Sequence, residues 1–308
     1  MNEKTIAAVA LSNRDYPDFG AKLKEAVQWV EFAAAQGAQL VVLPELLNFY
    51  YGDGVGSQKR PTYQEAAFDD WQTPTRPLFD VARRCGVAVT IPVLTREGDH
   101  LTNSFFLISK QGEVLGRYQK MRPMPGERQA GVQPGKVALM EWEGLKIGGG
   151  ICFDCYYPEV FQQQADAGAE LFLLPSLTAG GSYLNFYALH LAVPIVLAYP
   201  AWSRIIDVDG RELAAGGYRN ETLCFGFGSP VLVATINFDR VVLYADFNQL
   251  KINDIQRAYR DRVRIRFDQP NASFIIESRS PDLTVQEIVQ RYELVPKRQY
   301  FRQSWTGG

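Results

Sequence analysis

Histidine is nearly absent from this 308-residue chain, which has only His100 and His190. That scarcity leaves few partners for a Ser–His or Cys–His catalytic pair. Cysteine is sparse as well. Cys85, Cys152, Cys155 and Cys224 are too few and too irregularly spaced for a disulfide framework, so reduced thiols in a cytoplasm are expected. No apolar run approaches the roughly 18 residues of a membrane-spanning helix. The opening MNEKTIAAVALSNRDYPDF lacks the basic start and long apolar stretch of a secretory signal. Charge of one sign is lacking too: 32 basic and 34 acidic residues give a formal net charge of −2. That balance predicts neither nucleic acid nor an anionic membrane as a partner.

Apolar residues are plentiful. At 46% hydrophobic and 21% charged, the chain reads as a globular protein long enough to bury a core without metal or disulfide staples. Strands and helices alternate. Thr5–Leu11 reads as a strand, and Ala21–Gln36 as a helix with Leu23, Ala26, Val27, Val30 and Ala34 on one face. Gly37 stands where a helix end wants positive φ. Gln39–Leu43 is a short buried strand, and residues 46–72 are an aromatic, glycine-rich excursion. Asn103–Ser109 and Glu113–Gln119 form a hairpin, and a second one joins Arg204–Asp207 to Glu212–Ala214. Leu145–Ile151, Leu171–Leu174, Pro194–Tyr199 and Val231–Asn237 complete the expected strands. One domain is expected over residues 1–245, with 246–308 as an arginine-rich extension of it; Thr284 and Glu287 there form a capping box.

Three stretches share a design. The strand Leu40–Leu43 runs into Pro44 and Glu45, Val114–Gln119 into Lys120, and Lys146–Ile151 into Cys152. Strand ends of an α/β sheet are where ligands and catalytic groups gather. An acid, an ammonium and a thiol can converge there. Each alone also fits a plainer role: a solvated loop glutamate, a solvated lysine, an inert core cysteine.

The residues flanking these three resemble the nitrilase, or carbon–nitrogen hydrolase, superfamily over roughly residues 4–240. The resemblance rests on Leu43-Pro44-Glu45, Tyr118-Gln119-Lys120, and Gly150-Ile151-Cys152-Phe153-Asp154 followed by Tyr157-Pro158-Glu159. Gly168-Ala169-Glu170-Leu171, Leu174-Pro175-Ser176 and the Arg204 to Gly210 hairpin extend it. It implies an α-β-β-α sandwich of two mixed sheets that assembles as a homodimer or higher homo-oligomer. It also implies cysteine-dependent hydrolysis of a carbon–nitrogen bond in a small-molecule substrate, without cofactor or metal. Cys152 would be the nucleophile, Glu45 the general base, Lys120 an oxyanion stabiliser aided by the Phe153 backbone N–H, and Glu127 a second glutamate orienting Lys120 or the leaving group. Family members that act on nitriles typically carry Trp-Glu after the nucleophile; Phe153-Asp154 resembles the amide and carbamoyl side. Nitrile hydrolysis, acyl transfer to an amine, and an inactive binding module are the alternatives.

Physical chemistry bears on the same roles. A thiol near pKa 8.5 is a weak nucleophile at neutral pH unless its proton is removed, so Lys120 and the helix after Cys152 are expected to favour the thiolate. The Cys152-Phe153-Asp154-Cys155 spacing also suggests half a zinc site, which lacks two further ligands, or a redox pair. Packing is the simpler role for Cys155. Phe49, Tyr50 and Tyr51, with Tyr156 and Ser176, are candidates to line a pocket. The stretch Leu189–Ser203 departs from the family pattern, so the resemblance does not identify the substrate.

Overall fold

The computed structural model describes residues 2–13, 16–50, 61–217 and 229–305. Tyr51 and Cys224 lie outside the described residues. The chain divides into two compact units, the larger formed by Thr5–Leu189 with Val193–Ala234 and the smaller mainly by the residues from Thr235 onward.

In chain order the larger unit runs through β1 (Glu3–Val9), α1 (Phe19–Ala35), β2 (Leu40–Val42), α2 (Tyr63–Ala66), α3 (Arg76–Cys85), β3 (Ala88–Glu97), β4 (His100–Ile108) and β5 (Val114–Gln119). It continues with α4 (Pro125–Gln129), β6 (Met140–Trp142), β7 (Leu145–Gly149), α5 (Pro158–Asp166), β8 (Leu171–Pro175), α6 (Tyr183–Leu191) and β9 (Ile195–Ala198). β10 (Ser203–Ile206), β11 (Glu212–Gly216) and β12 (Val231–Asn237) close it. Local chemistry sets the ends. The Asp18 carboxylate caps α1 by accepting from the Ala21 N–H at 2.8 Å, and Gly37 takes φ 86° beyond its other end.

Among the described residues, six strands form one sheet in the order β12-β1-β2-β3-β4-β5 and six form another in the order β11-β10-β9-β8-β7-β6. Both are mixed. β1, β2 and β3 are parallel while β3, β4 and β5 are antiparallel; β7, β8 and β9 are parallel with antiparallel neighbours on either side. Ala7, Val9, Val41, Val89 and Ile91 bury one face of the first sheet against Leu23, Ala26, Val30 and Ala33 of α1 and Leu78 and Val81 of α3. The second sheet is covered by α5 and α6, where the Phe161 ring meets Phe172 edge-on at 5.2 Å and stacks on Tyr187 at 5.0 Å. Both strand faces are buried, which explains why the parallel strands read as continuous apolar runs. The two sheets and their flanking helices form the expected four-layer sandwich. Where the sheets face each other, glycine is required: a Cβ on Gly149 would lie 2.7 Å from the Phe105 ring.

The smaller unit has a core of its own. β13 (Arg240–Tyr244), α7 (Gln249–Tyr259), β14 (Val263–Asp268), β15 (Ser273–Ser278), α8 (Val285–Arg291) and α9 (Lys297–Trp305) follow in order, with sheet order β13-β15-β14. Leu243, Ile255, Val263, Phe274, Ile276, Ile288 and Leu294 are buried together. The Thr284–Glu287 capping box forms as expected. Among the described residues no helix is long and apolar enough to cross a membrane.

Candidate active site

Glu45 follows β2 and is 1% exposed. The next residue, Leu46, takes φ 57°, an unusual conformation for a branched side chain. It turns the chain sharply just beyond the glutamate, at the end of an interior strand. Lys120 directly follows β5; its backbone N–H donates to the Asn103 carbonyl at 2.9 Å, extending the β4–β5 ladder by one bond. Glu127 lies in the first turn of α4, whose helical start follows from Pro125. Its Oε2 accepts from the Met124 N–H at 2.6 Å. Cys152 follows β7 and opens a short 3₁₀ turn, Cys152–Tyr156, with φ 48°. Such backbone conformations are uncommon outside glycine and are held only by surrounding structure.

These four side chains meet. The Lys120 ammonium donates to Glu45 Oε1 at 2.9 Å and contacts Glu127 Oε1 at 3.0 Å and Oε2 at 2.8 Å. The Asn103 amide donates to both Oε1 atoms, at 2.8 Å to Glu45 and 2.7 Å to Glu127. The Leu177 N–H donates to Glu45 Oε2 at 3.1 Å. The Glu45 carboxylate and the Leu177 backbone lie close enough to act on the Cys152 thiol. Glu127, which a polar loop would place in solvent, is 1% exposed and fully engaged.

The electrostatics follow from burial. Loss of water pulls the Lys120 ammonium down, but the Glu45 and Glu127 carboxylates outweigh that and hold it above its ordinary value. Lys120 is therefore a fixed cation. Burial, then the Glu45 charge, pushes the Cys152 thiol well above its ordinary value; Lys120 and the Leu177 N–H oppose this and are outweighed. Lys120 thus acts in the expected direction, toward the thiolate, without prevailing. Cys152 is a neutral thiol at rest, because burial and an adjacent carboxylate dominate over one shared ammonium.

Several supports carried little signal in the sequence. Buried Asp154 accepts from the Tyr118 hydroxyl at 2.9 Å, the Ile151 N–H at 2.9 Å and the Arg122 N–H at 2.7 Å. It ties the turn bearing Cys152 to the segment just after Lys120. Leu177 acts through its backbone, which a sequence does not display. Its position is set by Ser176, whose hydroxyl donates to the Thr178 carbonyl at 2.6 Å and accepts its N–H at 2.9 Å.

The pocket candidates are dispersed. Phe49 is buried in an apolar cluster with Leu46, Ala66, Leu94, Leu101 and Val132, stacked on Tyr63 at 5.0 Å. Tyr50 is half-buried against the core of the first sheet. Tyr156 is 45% exposed, and its hydroxyl lies 3.3 Å from that of Thr178. Cys155 is fully buried, and burial pushes its thiol up to about 12, which suits a packing residue.

The fold and this cluster define a hydrolase of the nitrilase type, and the chain belongs to the carbon–nitrogen hydrolase family, whose model matches residues 5–246. It is an enzyme acting on non-peptide carbon–nitrogen bonds. Among curated relatives it is 29% identical to an omega-amidase, NIT2, of Danio rerio, over 74% of this chain and 83% of that one. It is 32% identical to a nitrilase of Pyrococcus abyssi (strain GE5 / Orsay), over 49% of this chain and 57% of that one. An amidase from Nesterenkonia sp. has the same fold, with TM-score 0.64 and 24% identity, covering 83% of this chain and 96% of that one.

Proposed function

We propose that the protein hydrolyses a small amide or carbamoyl-type substrate through a thioester on Cys152. One observation carries this reading: a buried Lys120 ammonium bridges Glu45 and Glu127, and the Glu45 carboxylate acts directly on the neighbouring buried Cys152 thiol. As the sulfur attacks the carbonyl carbon, its proton passes to the Glu45 carboxylate. The developing oxyanion is met by Lys120 and the Phe153 backbone N–H, a class of interaction contributing about 3–4 kcal/mol per donor. Glu45 returns the proton to the nitrogen as the C–N bond breaks, and ammonia or an amine leaves. Glu45 then takes a proton from water as its oxygen attacks the thioester, and the acid departs as Cys152 regains its proton. Glu127 keeps Lys120 in place throughout.

Phe153-Asp154 after the nucleophile, and relatives named as amidases, support amides over nitriles. Intact mass spectrometry with matched amide and nitrile panels tests the reading, with Cys152→Ala alongside. The expected result is an acyl adduct on the wild type alone, with ammonia released from amides; a clear nitrile preference, or an adduct on Cys152→Ala, overturns it. The exposed rings of Tyr183 and Phe186 on α6 support a homo-oligomer, which native mass spectrometry tests. Free Cys85, Cys152 and Cys155 support a reducing, cytoplasmic setting.

A further inference from the structure

We infer that Asn103 is a positioning residue that divides one ammonium between two carboxylates and so holds Glu45 against Cys152. The inference rests on the reading of Glu45 as base. Two buried glutamates face a single lysine, which leaves one negative charge without a cation. The neutral Asn103 amide turns two N–H dipoles to the carboxylates in place of a second cation. Both of its hydrogens are used, one on Glu45 Oε1 and one on Glu127 Oε1. Its orientation is enforced. Turning the amide over would set its oxygen against two carboxylates, and the structure instead leaves Oδ1 buried with no hydrogen-bond partner. A buried acceptor left unpaired is rare and calls for a reason; here the reason is the pair of donors on the other side of the same group.

Its strand neighbours are employed otherwise. Thr102 shares a hydrogen bond with Thr95 at 2.6 Å, and Ser104 accepts from Arg117 at 2.9 Å. Asn103 alone on β4 turns its side chain to the catalytic cluster, and its carbonyl also receives the Lys120 N–H. One residue therefore sets the backbone of the lysine and the side chains of both glutamates. Without the amide, the carboxylates share Lys120 only, repel each other, and one takes up a proton or swings away. Either outcome deprives Cys152 of its base.

Alkylation of Cys152 by iodoacetamide, followed by intact mass against pH, reads this directly and needs no amide substrate. The other titratable groups around the Cys152–Glu45 pair are Lys120, Glu127, Asp154, Cys155 and Tyr199, and the test leaves all of them in place. Asn103→Leu should slow alkylation near pH 7.5 by on the order of 10- to 100-fold, the effect of losing a hydrogen bond to a charged group. The midpoint of the profile should shift with it, because the Glu45 charge acts directly on the thiol. Asn103→Asp, equal in size but adding a third carboxylate, should do the same more strongly, and it keeps the test open where Asn103→Leu fails to fold. A folded variant with wild-type rate and midpoint overturns the inference, even where amide turnover stands. Shifted midpoints without any amide turnover would uphold it and defeat only the proposed substrate.

Discussion

Gly149→Ala places a methyl group where two sheets meet, three residues before the proposed nucleophile. The added Cβ would lie 2.7 and 2.8 Å from two carbons of the Phe105 ring and 3.1 Å from the Leu173 carbonyl oxygen. Ordinary carbon contacts need about 3.5–4.0 Å, so something must yield by roughly 1 Å. Phe105 has little room: it is fully buried and stacked on Tyr118, with ring centroids 5.4 Å apart. Tyr118 is in turn hydrogen-bonded to Asp154. Overfilling a packed core costs about 1–3 kcal/mol, and in a protein of this size that lowers Tm by about 2–4 °C per kcal/mol. The displacement also reaches the chemistry, because β7 leads directly to Cys152. A shift near 1 Å in a reacting group can cost on the order of 100-fold in rate. Differential scanning fluorimetry and the Cys152 alkylation rate should therefore both fall. Phe105→Leu in the same chain should restore part of the loss, with a coupling of about 1–2 kcal/mol in a double-mutant cycle. An unchanged Tm for Gly149→Ala, or strict additivity with Phe105→Leu, would refute the steric reasoning.

Lys120→Met should destabilise the fold by about 3–5 kcal/mol, since it strands two buried carboxylates; adding Glu45→Gln and Glu127→Gln should recover much of that, and a silent single variant in chemical denaturation would contradict the network. Lys22 is a cation-forming group without a carboxylate in hydrogen-bond contact. Its Nζ donates to Asn13 Oδ1 at 2.5 Å and to the Leu46 and Phe49 carbonyls, and burial pushes it down to about 7. The unfolded chain keeps the proton up to about pH 10.5, so native stability should rise with pH above 7, by at most about 5 kcal/mol, and be lost as pH falls through 7. Lys22→Met should abolish that slope, so parallel Tm–pH profiles for the two proteins would count against it. Gln164→Leu should cost about 2–4 kcal/mol by urea unfolding, because the side chain brackets β7 by accepting from the Gly149 N–H at 2.8 Å and donating to its carbonyl at 2.6 Å; a loss below 1 kcal/mol would mean that water substitutes there.

The strands of both sheets were legible because burial on two faces leaves unbroken apolar runs, and the residues ending three of them proved to meet. What escaped was polar and buried. Lys22 lies on the inner stripe of α1 beside Leu23 and Ala26, yet a lysine on a helix reads as solvated. The sequence pattern starts a strand at Asn103; β4 begins at His100, and Thr102, Asn103 and Ser104 are buried within it. A polar triplet inside an otherwise apolar strand was the available signal. The tail after residue 245 reads as an arginine-rich extension because five arginines fall between Arg257 and Arg266, Arg264 and Arg266 among them. Their alternation with Val263 and Ile265 is the period-two pattern of β14, where Val263 joins the small core.

The site is assembled from both sheets, and that arrangement explains why a neutral thiol suffices. Glu45, Lys120 and Asn103 come from the first sheet, while Cys152 and Leu177 come from the second. The Leu177 N–H reaches across the divide to Glu45 at 3.1 Å, as the Tyr118 hydroxyl reaches Asp154 at 2.9 Å. A thiolate held permanently beside Glu45 would be repelled by it, and burial would penalise both charges. Keeping the proton on sulfur until a carbonyl is in place avoids that cost. In the proposed mechanism Lys120 stays charged for the oxyanion, and a single proton moves, from the thiol to Glu45, as attack begins. Such a design tolerates little play between the sheets, because the proposed base and nucleophile, Glu45 and Cys152, stand on different sheets. The glycine at 149 and the asparagine at 103 are then two solutions to one requirement: the first fixes how closely the sheets approach, and the second fixes where the carboxylate points once they have.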